Sequence, residues 1–415
     1  MKVAAIISEY NPLHNGHKYQ IEQTKKITGC DAVISIMSGN FTQRAEPAIL
    51  DKYTRAEVTI KQGVDMVVSI PTAYSVNNAE VFANAAVKIA NSINCVEFLS
   101  FGMEQPNLNA LKEISEFLSK EPYIYKKELK HNLKKGLSFN KSRVSAIKTL
   151  VLNSKTTFRY EKEIFKILDK PNNILAIEYL KALKKHKSKI KPVAVKRVGS
   201  EYYEKEIKEN FSSASAIRDN IEKSGPNSII NNVPIESYKA IKDAYDNNQT
   251  PNFEILNQLI MAKIYTTKKE SLKDIYNVSE GIENFIKNKS IKSHNLKDLK
   301  SSLKTKRYKV SRINSILINL LLNIDKKTVK KIYRLKHFNY IKVLAIRQNS
   351  KILSNLKSKS RLILRKTDID NINLNKFDEK LIEIEFNSNS IYKIITNSKT
   401  EKLNEPYINI RSIKV

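Results

Sequence analysis

The first 120 residues alternate between continuous apolar runs and segments of helical spacing, and no other feature limits the fold so strongly. The runs VAAIIS, DAVISIMSG, VDMVVSIP and VEFLSFGM are each followed by a segment that reads as a helix, starting near Gly16, Asp51, Asn78 and Asn107. Continuous apolar strands separated by helices form a parallel sheet covered on both faces. Residues 121–170 read as helical and basic. PNNILAIEYLKALKK then gives a capped helix, IKPVAVKRV a fifth strand, and SSASAIRDNI the start of another helix. The expected class is α/β, a Rossmann-like domain built on a parallel sheet.

Further along, SGPNSIINN (Ser224–Asn232) reads as a turn-rich linker. Helix-like segments continue to about residue 338, among them RINSILINLLLNI. The tail returns to strand signals in YIKVLAIR and LIEIEFNSNSIYKII. Three regions are therefore expected: a catalytic domain over 1–225, a mainly helical basic region over 226–338, and a small α/β region over 339–415.

Parallel sheets bind ligands at the carboxyl ends of their strands, in the loops that enter the helices. EYNPLHNGH, SGNFTQRAEP and FGMEQPN fall there. The chain has only 6 histidines, yet His14 and His17 lie three apart in the first of these loops. A loop entering a helix at Gly16 offers free N–H groups and the positive end of the helix dipole, which favour an anion. A glycine there admits a phosphate close to the backbone. Both imidazoles can donate to phosphate oxygens, and as partly charged donors they suit charge that grows during reaction. The pattern fits a nucleoside triphosphate attacked at its α-phosphorus. Zinc fits less well, since no third ligand of suitable type is nearby.

Net charge is +31, and its distribution carries the information. Residues 1–120 hold 11 Lys+Arg against 12 Asp+Glu, whereas Lys300–Lys366 holds 20 Lys+Arg and the single acid Asp325. A lysine-rich habit alone would spread evenly. A clustered excess favours a polyanion through counterion release. No apolar run reaches the ~20 residues of a membrane span, and the N-terminus lacks a signal-peptide pattern. The 2 cysteines, Cys30 and Cys95, lack metal-ligand spacing and read as buried free thiols in a reducing cytoplasm.

NPLHNGH resembles the HxGH signature of the nucleotidyltransferase superfamily, and SSASAIRDNI its second motif, a serine-rich helix start followed by arginine. EYNPLHNGH, MSGNFTQRAEPAILDKYTRAE, FGMEQPN, PNNILAIEYLKALK and IKPVAVKRVGS together resemble the bacterial tRNA(Met) cytidine acetate ligase family across nearly the whole chain. That resemblance implies activation of acetate by ATP as acetyl-adenylate, with release of pyrophosphate. The acetyl group then passes to the N4 amine of the wobble cytidine, C34, of elongator tRNA(Met).

Carried over by position, the catalytic residues would be His14, His17 and Arg218. The ATP site would comprise Ile7, Ser8, Glu9, Tyr10, Asn11, Pro12, Leu13, His14, Asn15, Gly16, His17, Lys18, Tyr19 and Gln20. To these the resemblance adds Gly102, where a base or ribose can press on the backbone, then Asn172, Arg197 and Val198, with Ser213 and Ser215 from the second motif. Ala45 and Tyr203 depart from the family's usual glycine and histidine, and Tyr203 is given no role.

Asn40, Gln43, Arg44, Lys52 and Arg55 stand nearest the second strand end and suit a carboxylate or a cytosine edge. Lys306, Arg307, Lys309 and Arg312 suit RNA phosphates, with Tyr308 read as packing. Elongator tRNA(Met) and acetate are the expected partners, without DNA or membrane. Magnesium suits a triphosphate, but no carboxylate cluster marks a site for it. A nucleotidyltransferase adenylylating a phosphorylated small molecule explains the two motifs equally well and leaves the basic extension without work. A non-catalytic RNA binder leaves His14, Gly16, His17 and Arg218 unexplained.

Overall fold

The computed structural model describes residues 1–104, 107–168, 170–198, 211–279, 281–305, 308–356, 361–364, 368, 371–397 and 411–414. The chain opens with β1 (Val3–Ser8), α1 (Asn15–Thr28), β2 (Ala32–Ser38), α2 (Lys52–Lys61), β3 (Met66–Ile70), a short α3 (Thr72–Ser75), α4 (Ala79–Ile93) and β4 (Val96–Met103). It continues with α5 (Leu108–Lys120), α6 (Tyr123–Lys134), α7 (Phe139–Leu152), α8 (Glu161–Leu168), α9 (Pro171–Lys185), β5 (Lys191–Lys196) and α10 (Ala214–Ser224).

Helix starts fall where short polar side chains can take up free N–H groups. Asp51 accepts from Tyr53 and Thr54 at 2.8 and 3.1 Å, Asn78 from Val81 at 3.0 Å, and Asn107 from Ala110 at 3.0 Å. Each such cap stabilises its helix by about 1 kcal/mol. The strands run in the order β5-β4-β1-β2-β3, all parallel. Every residue of β2 and β3 is buried, which is why these strands read as unbroken apolar runs. The chain builds outward from β1 through β2 to β3, then returns to lay β4 on the other side of β1. That reversal opens a crevice at the carboxyl ends of β1 and β4.

The tail extends this same sheet. β6 (Tyr340–Arg347) pairs antiparallel with β3, with Met66 opposite Ile346 and Val67 opposite Ala345. β7 (Arg361–Ile363) and β8 (Arg411–Ile413) both pair parallel with β6, giving eight strands among the described residues. LIEIEFNSNSIYKII, read above as strand, lies instead within a helix, Lys376–Ile395. The local I-E-I-E alternation misleads. Buried Leu381, Ile384, Ser388, Tyr392 and Ile395 recur every three or four residues, and Asn375 with Asp378 forms a capping box at the start.

The helices between Phe253 and Lys330 share one apolar core with the α4 side of the sheet. A buried polar tie reinforces the join, Asn319 Nδ2 donating to Asn77 Oδ1 at 2.9 Å. SGPNSIINN, read above as a turn-rich linker, is packed: Pro226–Ile229 forms a 3-10 turn, and Ile229 and Val233 are buried with Ile49, Ile217 and Ile241.

Candidate active site

His14 is the N-cap of α1. The Gly16 N–H donates to His14 Nδ1 at 3.1 Å, and the His14 N–H donates to His17 Nδ1 at 3.3 Å. This is a capping box in which two imidazoles replace the usual hydroxyl and carboxylate. The rings stack with centroids 3.7 Å apart and planes 24° from parallel. With both Nδ1 atoms accepting, each ring carries its proton on Nε2. Burial, then the Arg197 charge, lowers the His14 pKa to about 3. Burial, then His14 and Arg197, holds His17 well below its ordinary value. Both histidines are thus neutral Nε2–H donors at pH 7, which corrects the expectation of partly charged ones. Gly16 is required for a nearer reason than phosphate approach: a Cβ there would lie 2.9 Å from His14 Cε1.

These residues form one wall of a cleft of about 430 Å³. Tyr19 and Gln20 extend that wall along α1. Gly102, Val195, Lys196, Arg197 and Val198 form the opposite side, and Phe211 and Ser212 close the end. The cleft therefore sits on the crevice between β1 and β4, with β5 beside it. A Cβ at Gly102 would lie 3.2 Å from Arg197 Cγ, so this glycine makes room for the arginine stem that crosses it.

Sequence reading missed Val195, Lys196, Phe211 and Ser212. Ser212 stands one residue before the predicted hydroxyls. Ser213 is instead the N-cap of α10, accepting from the Ala216 N–H at 3.2 Å, with Ser215 Oγ 3.1 Å from its hydroxyl. The signal was available in the double serine.

The rest of Ile7–Gln20 supports the site without lining it. Ile7 packs against the core, and Ser8 Oγ lies 2.8 Å from Ser35 Oγ. Tyr10 and Leu13 are buried in the core, Asn11 Oδ1 accepts from the Ile49 N–H at 2.8 Å, and Pro12 follows a cis peptide bond. Asn15 donates through its backbone to Asn232 and through its side chain to Asn231, while Lys18 is exposed. Glu9 turns its carboxylate to the Gln43 N–H at 2.5 Å. Arg218 Nη1 donates to the Asn11 carbonyl at 2.7 Å and the Ala214 carbonyl at 3.2 Å, so it braces the histidine loop from behind. Burial lowers its pKa from the ordinary arginine value.

Three residues expected to meet acetate or RNA are structural instead. Arg55 is 1% exposed; its guanidinium donates to the carbonyls of Leu50 at 3.0 Å and Ser38 at 3.3 Å, and also to those of Glu9 and Gly39. It ties the β1 and β2 loops together. Lys52 is 3% exposed and pairs with Glu385 at 3.1 Å. Asn40 is buried, donating to Asn389 Oδ1 at 3.1 Å and accepting from the Lys52 N–H at 2.8 Å. Gln43 and Arg44 are half-buried beside Glu9.

Lys306, Arg307 and the Asn172 side chain lie outside the described residues. Lys309 is exposed, but Arg312 is pinned by Ser279 Oγ at 2.7 Å and the Asn277 carbonyl at 3.3 Å. Tyr308 is buried under the Arg312 guanidinium, in the packing role read for it. Among the described residues no group of three or more His, Cys, Asp or Glu is arranged to hold a metal ion.

A family model described as HIGH Nucleotidyl Transferase matches residues 1–406. The chain is 42% identical over 365 residues to a tRNA(Met) cytidine acetate ligase of Thermoanaerobacter sp. (strain X514), covering 87% of this chain and 88% of the relative. It is 37% identical over 412 residues to the protein of that name from Clostridium perfringens (strain SM101 / Type A), covering 98% of each. The crystal structure of Thermotoga maritima TmcAL bound with alpha-thio ATP superposes with a TM-score of 0.89 at 26% identity, covering 100% of both chains. The apo form of that protein gives 0.90 at 27% identity, again over 100% of both chains.

Proposed function

The chain belongs to the HIGH nucleotidyl transferase family, and we propose that it works there as a tRNA(Met) cytidine acetate ligase. An acetate oxygen attacks the α-phosphorus of ATP, pyrophosphate leaves, and acetyl-adenylate forms. The N4 amine of C34 in elongator tRNA(Met) then attacks the acetyl carbon, AMP leaves, and N4-acetylcytidine results.

The observation that carries this reading is the occupied Nδ1 of both stacked histidines. It commits two Nε2–H donors to a cleft at the N-terminus of α1, where the helix dipole already favours anions. Negative charge builds on the phosphoryl oxygens as acetate adds, and rigid neutral donors stabilise that charge without reorganising. Arg197 supplies the cation across the cleft. Arg218 holds the Asn11 turn, and so the position of His14.

Exposed Lys309, Lys327, Lys330, Arg334 and Lys336 would meet tRNA phosphates and set its register. No helix among the described residues is long and apolar enough to cross a membrane. A cytoplasmic setting, where tRNA is found, agrees with the free cysteines.

The test is ATP–pyrophosphate exchange without tRNA. Exchange that requires acetate supports the ligase. Exchange that requires a phosphorylated small molecule instead would favour the other adenylyltransferase reading, and none at all would remove catalysis.

A further inference from the structure

We propose that the cavity between the parted ends of β3 and β6 is a second ligand site, suited to a small organic carboxylate with a short hydrocarbon chain. The inference stands apart from the ligase reading, since this cavity shares no lining residue with the nucleotide cleft. The two strands pair from Met66–Ile346 to Val68–Val343, and the ladder stops there. Beyond it, Ser69 and Pro71 around the end of β3 and Tyr340 and Lys342 at the start of β6 line a space of about 560 Å³. Helix Lys376–Ile395 adds Ile382 and Glu385 to the wall, and α2 adds Lys52.

The lining combines two chemistries. Ile89, Phe338, Ile341 and Ile363, each 3% exposed or less, join Ile382 as its apolar part. Its charged groups among the described residues are two lysines, Lys52 and Lys342, and one carboxylate, Glu385. That carboxylate is engaged at both oxygens: Oε2 lies 3.1 Å from Lys52 Nζ, and Oε1 accepts from the Thr72 N–H. The Lys52–Glu385 pair thus balances itself while it holds the helix to the sheet, and Lys342 brings further positive charge to the same space. Asp368, from the segment after β7, acts on Lys342 from outside the lining, with its Oδ2 on the Leu364 N–H at 2.8 Å.

A monoanion with an apolar chain complements this lining. Its carboxylate accepts from the ammonium groups, while its chain leaves water for the isoleucines and Phe338. A cation would add to two like charges, and a plain hydrocarbon would desolvate the lysines without pairing them. Burial, then repulsion from Lys52, lowers the Lys342 pKa to about 8, although Asp368 opposes both. An anion seated beside that amine acts in the other direction. Binding at and above about pH 8 should therefore take up a proton, and affinity should fall as pH rises through that value.

The experiment titrates the full chain, without nucleotide or tRNA, with acetate, butyrate and hexanoate by isothermal calorimetry. Affinity should rise about threefold for each added methylene. Lys342→Met should weaken butyrate binding by about tenfold or more, and Lys342→Arg, which keeps the charge, should recover part of it. Ile382→Phe keeps every charge and fills the apolar part, so it should weaken hexanoate more than acetate. Thermal unfolding of each variant without ligand checks that it is folded. Titrations of the wild type at about pH 8.5, in buffers of different ionisation heat, should show proton uptake that is absent at about pH 6.5. No binding at millimolar carboxylate, affinity independent of chain length, butyrate binding unchanged by Lys342→Met, or equal proton uptake at the two pH values would each overturn the assignment. Inorganic phosphate binding as tightly as hexanoate would also overturn it, since a plain anion site has no use for the apolar lining.

Discussion

The Asn15 backbone N–H donates to the Asn232 carbonyl at 3.0 Å, so the first turn of α1 is anchored by a residue far along the chain. Asn232 also donates through Nδ2 to Ser212 Oγ at 3.2 Å. One buried asparagine therefore links the histidine wall of the cleft to its closing end. Asn232→Ala removes the second link and leaves the first. The Ser212 hydroxyl loses a donor worth about 1 kcal/mol. KM for ATP should rise roughly fivefold to tenfold, with kcat changed much less, as steady-state exchange kinetics would read. A fall in kcat with unchanged KM would show that the link serves the reaction and not nucleotide binding.

Gly16→Ala tests the packing of the histidine pair. The new Cβ would stand 2.9 Å from His14 Cε1, and that ring is already stacked on His17. His14 must turn, and its Nε2–H leaves the cleft. Exchange should fall by about 10²–10³-fold, the scale for one lost transition-state donor. Thermal unfolding should shift only slightly, since alanine is favoured over glycine within a helix. A variant with near-normal exchange would show that the ring position is unimportant.

Protonation of the same pair should appear in stability. The folded pKa of His14, about 3, lies below the unfolded value of 6.5, and that of His17 also lies well below it. For a base depressed in this way the unfolded state binds more protons as pH falls. The contribution is complete above pH 6.5 and is lost as pH drops toward the folded pKa. Each group adds a slope of about 1.4 kcal/mol per pH unit inside that window. Urea unfolding at pH 7.5 and pH 5 should show the wild type losing more stability than His14→Asn/His17→Asn, in which asparagine still caps the helix. Equal losses would mean that the imidazoles titrate normally.

Arg55 marks the boundary of what sequence can show. Its charge beside a ligand-binding strand end suggested a substrate contact, yet its guanidinium donates to the main-chain carbonyls of Leu50, Glu9, Ser38 and Gly39. Arg55→Met should cost about 3–5 kcal/mol in chemical denaturation, because it strands those carbonyls. tRNA affinity of the folded protein should change little. A stable variant that binds tRNA poorly would restore the sequence reading.

Asp51, Asn78 and Asn107 were legible as helix starts because an N-cap acts within three residues of itself. The histidine loop was legible because strand, loop and helix follow one another directly. Asn232, Ser212 and Arg55 owe their roles to partners remote in sequence, which no local pattern records. The helix Lys376–Ile395 failed for a different reason. Its sequence carries both periods, and only burial of Leu381, Ile384 and Tyr392 against other elements decides between them.

Salt dependence tests the RNA-facing surface. Asp325, the only acid between Lys300 and Lys366, is used as an N-cap, accepting from the Thr328 N–H at 2.7 Å. After it, Lys327 and Lys330 on the short helix Lys326–Lys330, and Arg334 and Lys336 just beyond the turn that follows, are exposed. A tRNA laid there displaces counterions, and the slope of log affinity against log salt falls by about 0.7–0.9 for each phosphate contact removed. Replacing all four by glutamine should therefore flatten the slope by up to about 3.6, with acetate-dependent exchange untouched because that step needs no RNA. The matched control replaces exposed Lys126, Lys127, Lys130 and Lys134 on α6. Both sets remove four positive charges, so a general loss of field would flatten the two curves alike. Flattening confined to the first set would locate the phosphates on the C-terminal surface. An equal effect from the α6 set would mean that net charge, and not this arrangement of it, draws the tRNA.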